Sequence, residues 1–586
     1  MAQIFCMLFP PLLFNSIYFL IKKTSSRFSD YLLNYCWFTI SINFFTFVIL
    51  SALLNNKQAV FTSFQLSDLY AIKYITVSIM TAEIILVVLY LIQNPPKPPI
   101  TALLEIIGAL ILLLSFILYF ATDWVQNNFN NISVEQIIFH INVSLKGANT
   151  DYKANFIEDV LIPSLILTLS FFIIFWQIEK LHFKTNAKWR FSIVILVFIS
   201  SFFRSSKKLD LGEYLSYAFT DSSFIEKNYA DPLKTNISFP EKKRNLIYIF
   251  LESMENTYMS EDLGGAQQTD LIPELSALAK EHTSFSNHLK LGGALPLSNT
   301  QWTIGAMVAQ HTGLPLKLPM GDDYNNDYGE YKSFLPGAVS LGDILEKEGY
   351  QQMIMIGSEI YFGGRKEFFT QHGNYQIFDY DTAKANKRFD KDYYVWWGFE
   401  DLKLFQYAKE ELCKLSESEQ PFNFTMLTVD THSNDGYVCD ACGNTYDEPY
   451  ANVISCSSRQ IGEFIFWIQS QDFYENTTIV IAGDHLSMDV NFFGDLSEDY
   501  VRTTYNVYIN PSVQTSNTKN RLFGTVDLFP TTLASMGVTI EGDRLGLGTN
   551  LFSNTPTLIE TYGLSETEDG FRYKSSFYNE TFIFEH

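Results

Sequence analysis

Basic side chains are in short supply in this 586-residue chain: 41 Lys and Arg stand against 64 Asp and Glu, a formal charge of −23. Phosphate backbones are gripped by clustered Lys and Arg, so this balance argues for no nucleic-acid partner. Cysteine is scarce as well, six residues in all, which excludes a fold held by a disulfide framework. Cys6 and Cys36 fall in apolar segments and read as inert. No internal repeat, low-complexity tract or tail of like charges interrupts the chain. The first residues lack the basic n-region and small-residue cleavage site of a secretory leader, so the opening apolar run reads as a span.

What the chain has in excess is apolar and aromatic surface. Hydrophobic residues make up 47%, with 51 Phe and 33 Tyr, and a series of long apolar runs precedes Arg204. A crossing needs about 20 apolar residues. Spans are expected at 4–21, 31–54, 74–92, 101–121, 160–178 and 190–203. The first carries Pro10 and Pro11 and the last is short, so the count is five or six. Lys22, Lys23 and Arg27 follow the first run, and Lys180, Lys184, Lys188 and Arg190 lie between the last two. This bias assigns those loops to the cytoplasm. The Lys- and Arg-poor stretch 122–159 then lies outside, and so does everything beyond Phe203. Within it, 129–147 is amphipathic and reads either as a helix on the outer membrane surface or as a plain loop. The expected division is a helical transmembrane domain over 1–203, a linker over 204–243 and an extracytoplasmic catalytic domain over 244–586.

From Asn245 onward, apolar β runs alternate with amphipathic helical stretches. Strands are predicted at 246–251, 352–356, 423–429, 478–482 and 504–509. Helices are predicted at 270–281, 339–348, 400–416, 457–469 and 526–536. The alternation implies an α/β domain with a mainly parallel sheet covered on both faces. In such sheets ligands gather beyond the C-terminal strand ends.

Several side chains fall at those ends. The 246–251 run stops on Glu252, which reads as a site carboxylate or as a helix cap. Thr303 opens a helical stretch, where backbone N–H groups and the dipole favour an anion. Its hydroxyl equally suits an N-cap, and Thr300 competes for the role. Arg365, in a Gly-flanked loop, suits a bidentate grip on phosphate or plain solvation. His432 is open to three readings: phosphate donor, proton shuttle or satisfied polar side chain. The sharpest signal is Gly483, Asp484 and His485 directly after an apolar strand. Two adjacent metal-capable side chains at a tight turn suit a divalent cation, or a structural Asp–His pair. Cys439, Cys442 and Cys456, with Cys413 upstream, lack the second C-x-x-C or paired His of a zinc site. Outside the cytoplasm they are expected to form one or two disulfides.

Five motifs occur in a telling order: LESMENTY with Glu252, QWTIGAMV with Thr303, Gly-Gly-Arg at Arg365, TVDTH with His432, and AGDH at Asp484 and His485. Together they resemble the sulfatase-type branch of the alkaline phosphatase superfamily. Within it the chain is similar to membrane-bound phosphoglycerol transferases, including lipoteichoic acid synthases and the Gram-negative enzymes that decorate periplasmic glucans. TVDLFPTTLASMGV, residues 525–538, fits the same pattern. The resemblance implies an alkaline phosphatase-like three-layer α/β/α domain outside a bacterial inner membrane. It implies that Glu252, Thr303, Asp484 and His485 bind one divalent ion, manganese first, with zinc and magnesium as alternatives. Thr303 would be the nucleophile, and Arg365 and His432 would hold the head group. The implied reaction moves glycerophosphate from phosphatidylglycerol, through a covalent threonine intermediate, to an extracytoplasmic glycan or polyglycerol phosphate. Diacylglycerol is released.

Gly363 departs from the lipoteichoic acid synthases, which carry an aromatic residue there, so head-group contacts are expected to differ. A phosphoethanolamine transferase of the same superfamily is the nearest rival, but the paired cysteines that group carries near its nucleophile have no counterpart near Thr303. A sulfatase acting on sulfate esters is disfavoured, because no C/S-x-P-x-R motif surrounds Thr303. The reading from another class is a catalytically inactive, membrane-anchored glycan-binding protein. The complete set of four candidate metal ligands counts against it.

Overall fold

The structure is a computed structural model and describes residues 99–129, 132–142, 150–180, 187–317, 333–433, 435–493, 496–497 and 499–583. The chain divides into two units, 1–121 with 155–205, and 122–154 with 206–586. Among the described residues, three helices are long and apolar enough to cross a membrane: Leu103–Phe129, Lys153–Phe172 and Lys188–Lys208. They coincide with the spans expected at 101–121, 160–178 and 190–203. The spans expected at 4–21, 31–54 and 74–92 lie outside the described residues. Several polar groups in these helices find partners, as an apolar surround favours. Ser164 and Thr168 donate to the carbonyls four residues back, at 2.6 and 2.8 Å, and Arg190 pairs with Glu105 at 2.9 Å.

The second unit is organised on a six-stranded sheet. Its strands are β1 (Asn245–Leu251), β2 (Gln351–Ile356), β3 (Gln376–Phe378), β4 (Phe422–Leu427), β5 (Thr477–Gly483) and β6 (Asn506–Ile509). Their order is β3-β2-β4-β1-β5-β6. β1 lies between two parallel neighbours, with Ile249 opposite Met426 on β4 and Ile481 on β5. Leu246, Tyr248 and Phe250 point into one core, and Ile247, Ile249 and Leu251 into the other. That division follows from the two-residue period of a strand buried on both faces. The first core includes side chains of the Thr303–Thr312 and Leu528–Ser535 helices. The second includes those of Pro273–Glu281, Asp401–Ser416 and Pro449–Gln469. The three-layer α/β/α architecture expected from the sequence is therefore present.

Some elements differ from expectation. β6 runs antiparallel to β5, with Ala482 opposite Asn506 and Ile479 opposite Ile509. A parallel return needs a crossover, usually helical, and the intervening segment carries only the four-residue Val490–Phe493 helix among its described residues. β3 escapes sequence reading because three residues show no alternation. The helix predicted at 457–469 begins earlier, at Pro449, where proline suits the first turn.

The stretch 204–243, expected as a linker, is folded rather than loose. It contains the Leu211–Phe219 and Phe224–Asn228 helices and the strand Ile237–Ser238, which pairs with Thr539–Ile540. Ile225 is fully buried in the first core. The amphipathic 129–147 stretch yields the Val134–Asn142 helix, which belongs to the second unit. Its Phe139 is buried, with its ring 6.0 Å from that of Trp302. Protein takes up this apolar contact.

Candidate active site

The C-terminal ends of β4, β1 and β5, adjacent in the sheet, supply most of the site. β1 delivers Glu252, which is buried. β4 is followed by Thr428 and Thr431, which fix the Glu252 backbone: Thr428 Oγ1 accepts its N–H at 3.0 Å, and Thr431 Oγ1 donates to its carbonyl. β5 ends on Gly483. A Cβ there would sit 2.0 Å from the Met254 carbonyl oxygen, so glycine permits the close approach of the two strand ends. Asp484 and His485 follow.

The acidic and imidazole groups converge. Ligand atoms of Glu252, Asp484 and His485 lie within 4.8 Å of one another, and all three residues are buried. His485 Nε2 is 3.4 Å from Glu252 Oε1 and 3.4 Å from Asp484 Oδ2. His485 Nδ1–H donates to the Leu486 carbonyl at 2.9 Å. That bond sets the tautomer and turns the Nε2 lone pair toward the carboxylates, as a ligating histidine requires. Asp484 Oδ1 accepts the backbone N–H groups of Ser253 and His485 at 2.8 and 2.7 Å. Asp484 Oδ2 is buried without a hydrogen-bond partner. Such an orphan is costly, and a cation would satisfy it.

Electrostatics point the same way. Burial and the neighbouring Glu252 push the Asp484 carboxyl up to about 7. Burial works to depress His485, but Asp484 and Glu252 outweigh it and raise its pKa. Two carboxylates and an imidazole held this close repel or retain protons until a cation replaces them. The donor set of two oxygens and one nitrogen fits a divalent ion.

Thr303 is the first residue of its helix, and Trp302 occupies the cap position. The alternative reading of Thr303 as an N-cap therefore does not hold. Its partly exposed hydroxyl lies 3.4 Å from His485 Nε2. Thr300 is buried and donates to the Leu297 carbonyl at 2.7 Å, so its hydroxyl is engaged in its own turn.

Arg365 is buried at the start of the Arg365–Gln371 helix rather than in a loop. Gly363 and Gly364 precede it with φ of 72° and 75°, values glycine adopts freely. The Arg365 side chain donates from Nε to the Phe362 carbonyl at 2.8 Å and from Nη2 to the Glu359 carbonyl at 3.0 Å. Burial pushes its pKa down to about 10, against the pull of Glu252, Asp379 and Asp484. The His432 ring packs at a tilt against that of Trp397, with centroids 4.9 Å apart. Its Nδ1–H donates to the Ser433 carbonyl at 2.6 Å, and burial lowers its pKa against the attraction of Glu252.

Glu255 was missed by sequence reading. It is fully buried, and its carboxylate accepts Arg502 Nε at 2.8 Å, a second bond from Arg502 Nη2, and the Ser487 N–H at 3.0 Å. It thereby ties the segment after Glu252 to the segment after His485. Only the third-residue spacing from Glu252 could have signalled it. The expected disulfides are also absent from the described residues: Cys413, Cys439, Cys442 and Cys456 are free thiols.

Comparison with known proteins extends these observations. Phosphoglycerol transferase I of Citrobacter koseri is 36% identical over 267 residues, covering 44% of this chain and 33% of that protein. The counterpart from Salmonella paratyphi B is 35% identical over the same coverage. The match spans a third of the length of these curated relatives. Among solved structures, a Vibrio parahaemolyticus protein in the alkaline phosphatase superfamily aligns with a TM-score of 0.45 at 20% identity, covering 58% of this chain and 79% of that one. The Listeria monocytogenes lipoteichoic acid synthase gives 0.41 at 20% identity, with 54% and 79% covered. The model of the sulfatase family matches residues 244–538. That match takes in half of the chain and every side chain converging on the site, and the chain belongs to the sulfatase family.

Proposed function

We propose that this protein is a membrane-bound, metal-dependent phosphoglycerol transferase. The observation that carries the reading is the Thr303 hydroxyl set beside the Glu252, Asp484 and His485 cluster, with Asp484 Oδ2 buried and unpartnered. The names of the curated relatives supply the transferred group. Manganese is the preferred ion, since oxygen and imidazole donors without thiolate suit it. Bound by Glu252, Asp484, His485 and Thr303, it would lower the pKa of the threonine hydroxyl and offset charge on the phosphoryl oxygens.

The chain's own residues do the rest. Thr303 Oγ1 forms a bond to the phosphorus of phosphatidylglycerol as the bond from phosphorus to the diacylglycerol oxygen breaks. The threonine proton is given up, and the departing oxygen takes one to become the hydroxyl of diacylglycerol. A hydroxyl of an extracytoplasmic glycan or polyglycerol phosphate then attacks the glycerophospho-threonine and restores Thr303. Arg365, held by two carbonyls, keeps its guanidinium oriented toward phosphoryl oxygens. His432, whose Nδ1 is engaged with the Ser433 carbonyl, would meet the glycerol head group through Nε2. The apolar helices keep the site near its lipid donor at the cytoplasmic membrane. The Lys and Arg bias supports a catalytic unit outside the cytoplasm.

The test is incubation of the full-length protein and manganese with phosphatidylglycerol labelled in its glycerol head group. Diacylglycerol release with label trapped on the protein, both lost in Thr303→Ala, is the expected result. Consumption of phosphatidylethanolamine in place of phosphatidylglycerol would transfer the assignment to the rival head group. Inertness toward both lipids in a protein without bound metal would sink the enzyme reading.

A further inference from the structure

Beyond the catalytic cluster, three thiols meet at a second point. Cys439 Sγ lies 3.6 Å from Cys442 Sγ and 3.9 Å from Cys456 Sγ, and all three sulfurs fall within 4.8 Å of one another. Sulfurs arranged tetrahedrally on zinc, with bonds of about 2.3 Å, are separated by about 3.8 Å. A bridge would need about 2.05 Å. The observed separations match edges of the tetrahedron, and Cys439 has two neighbours at this distance where a bridge admits one. The surroundings suit thiolates. Gln460 Nε2 lies 3.3 Å from Cys456 Sγ and 3.9 Å from Cys439 Sγ, and Arg459 Nη2 lies 3.6 Å from Cys456 Sγ. Hydrogen-bond donors of this kind hold ligating sulfurs in place and offset their charge.

We propose that Cys439, Cys442 and Cys456 bind a zinc ion, separate from the ion at the catalytic cluster. No fourth His, Cys or acidic side chain joins the group among the described residues, and Cys442 is partly exposed, so water completes the coordination. The ion's task follows from where its ligands sit. Cys439 and Cys442 belong to the loop between β4 and the Pro449–Gln469 helix, which also carries His432, and Cys456 belongs to that helix on the sheet. Zinc would fasten the loop carrying His432 to that helix. This inference does not depend on which lipid or acceptor the catalytic cluster uses.

The test uses full-length protein purified in detergent, without chelator and under anaerobic conditions. Bound zinc is measured for wild type, Asp484→Asn and Cys456→Ser. Asp484→Asn disables the other cluster, so zinc that survives there reports the cysteines. One equivalent retained in Asp484→Asn and lost in Cys456→Ser is the expected result. X-ray absorption at the zinc edge of wild type gives a reading that needs no variant to fold: about three sulfur neighbours near 2.3 Å. A disulfide from Cys439 to either neighbour in non-reducing peptide maps, zinc content indifferent to Cys456→Ser, or an edge spectrum without sulfur overturns the proposal.

Discussion

The backbone N–H of Ser253 donates to Asp484 Oδ1 at 2.8 Å, joining residues 231 positions apart in the chain. Ser253 reaches this position with a φ of 53°, a left-handed conformation uncommon for a side-chain-bearing residue and characteristic of functional turns. The bond dedicates one carboxylate oxygen to the scaffold and leaves the other for a cation. Asp484→Asn removes the charge while keeping one oxygen for the N–H groups. Manganese affinity by titration calorimetry should fall more than about 100-fold, beyond the 10- to 100-fold typical of losing an outer partner of a ligand. An unchanged affinity would exclude Asp484 as a ligand.

Acid should compete with the metal. Burial and Glu252 hold the Asp484 carboxyl at about 7, and His485 is raised by Asp484 and Glu252 against its burial. Both groups must be deprotonated to bind, so apparent manganese affinity should weaken as pH falls through about 7. In metal-stripped protein the sign on stability is opposite. Native Asp484 binds a proton that the unfolded chain has released above about 3.9. Its contribution is full below that value and is lost as pH rises through about 7. Melting curves with chelator should therefore decline over this window relative to curves with manganese, and parallel profiles would refute the coupling.

Thr303→Ala should reduce turnover at least about 1,000-fold, as loss of a nucleophile does, while manganese binding persists through the remaining ligands. Thr300→Ala should leave turnover within about twofold and cost about 1 kcal/mol of stability for its lost hydrogen bond. Inverted results would reassign the nucleophile.

Arg365→Lys tests geometry rather than charge. A lysine cannot donate to the Phe362 and Glu359 carbonyls and grip phosphate through a planar fork together. kcat/KM should fall by about 10- to 100-fold, corresponding to about 1.4 to 2.7 kcal/mol. Wild-type kinetics in the lysine variant would show that a point charge suffices.

Arg502→Met would leave the Glu255 carboxylate buried without its ion pair. Breaking such a pair typically costs about 3–5 kcal/mol, and chemical denaturation should show a loss in that range. A loss below about 1 kcal/mol would mean that the pair contributes no more than a surface ion pair does.

The sheet was largely readable from the chain because β1 and β5 carry apolar runs that end on chemistry-bearing residues. Glu252, Asp484 and His485 stood out for that reason. The direction of β6 was not readable, because a four-residue strand has the same pattern whichever way it runs. Glu255 was hidden because a buried acid looks like a solvated one until Arg502, far along the chain, is placed beside it. The cysteines were misread in the opposite sense. Their placement outside the cytoplasm suggested bridges, while the three sulfurs stand at distances that only the folded loop and helix determine.

The Ser253 to Asp484 bond also bears on how the protein is made. Its two halves leave the ribosome at very different times. At about 5–20 residues per second, roughly 10 to 50 s pass between synthesis of Glu252 and of Asp484. Throughout that interval the nascent chain carries Glu252 without its Asp484 and His485 partners. A metal held by both residues would thus be chosen after the central sheet closes, from the ions available where folding finishes.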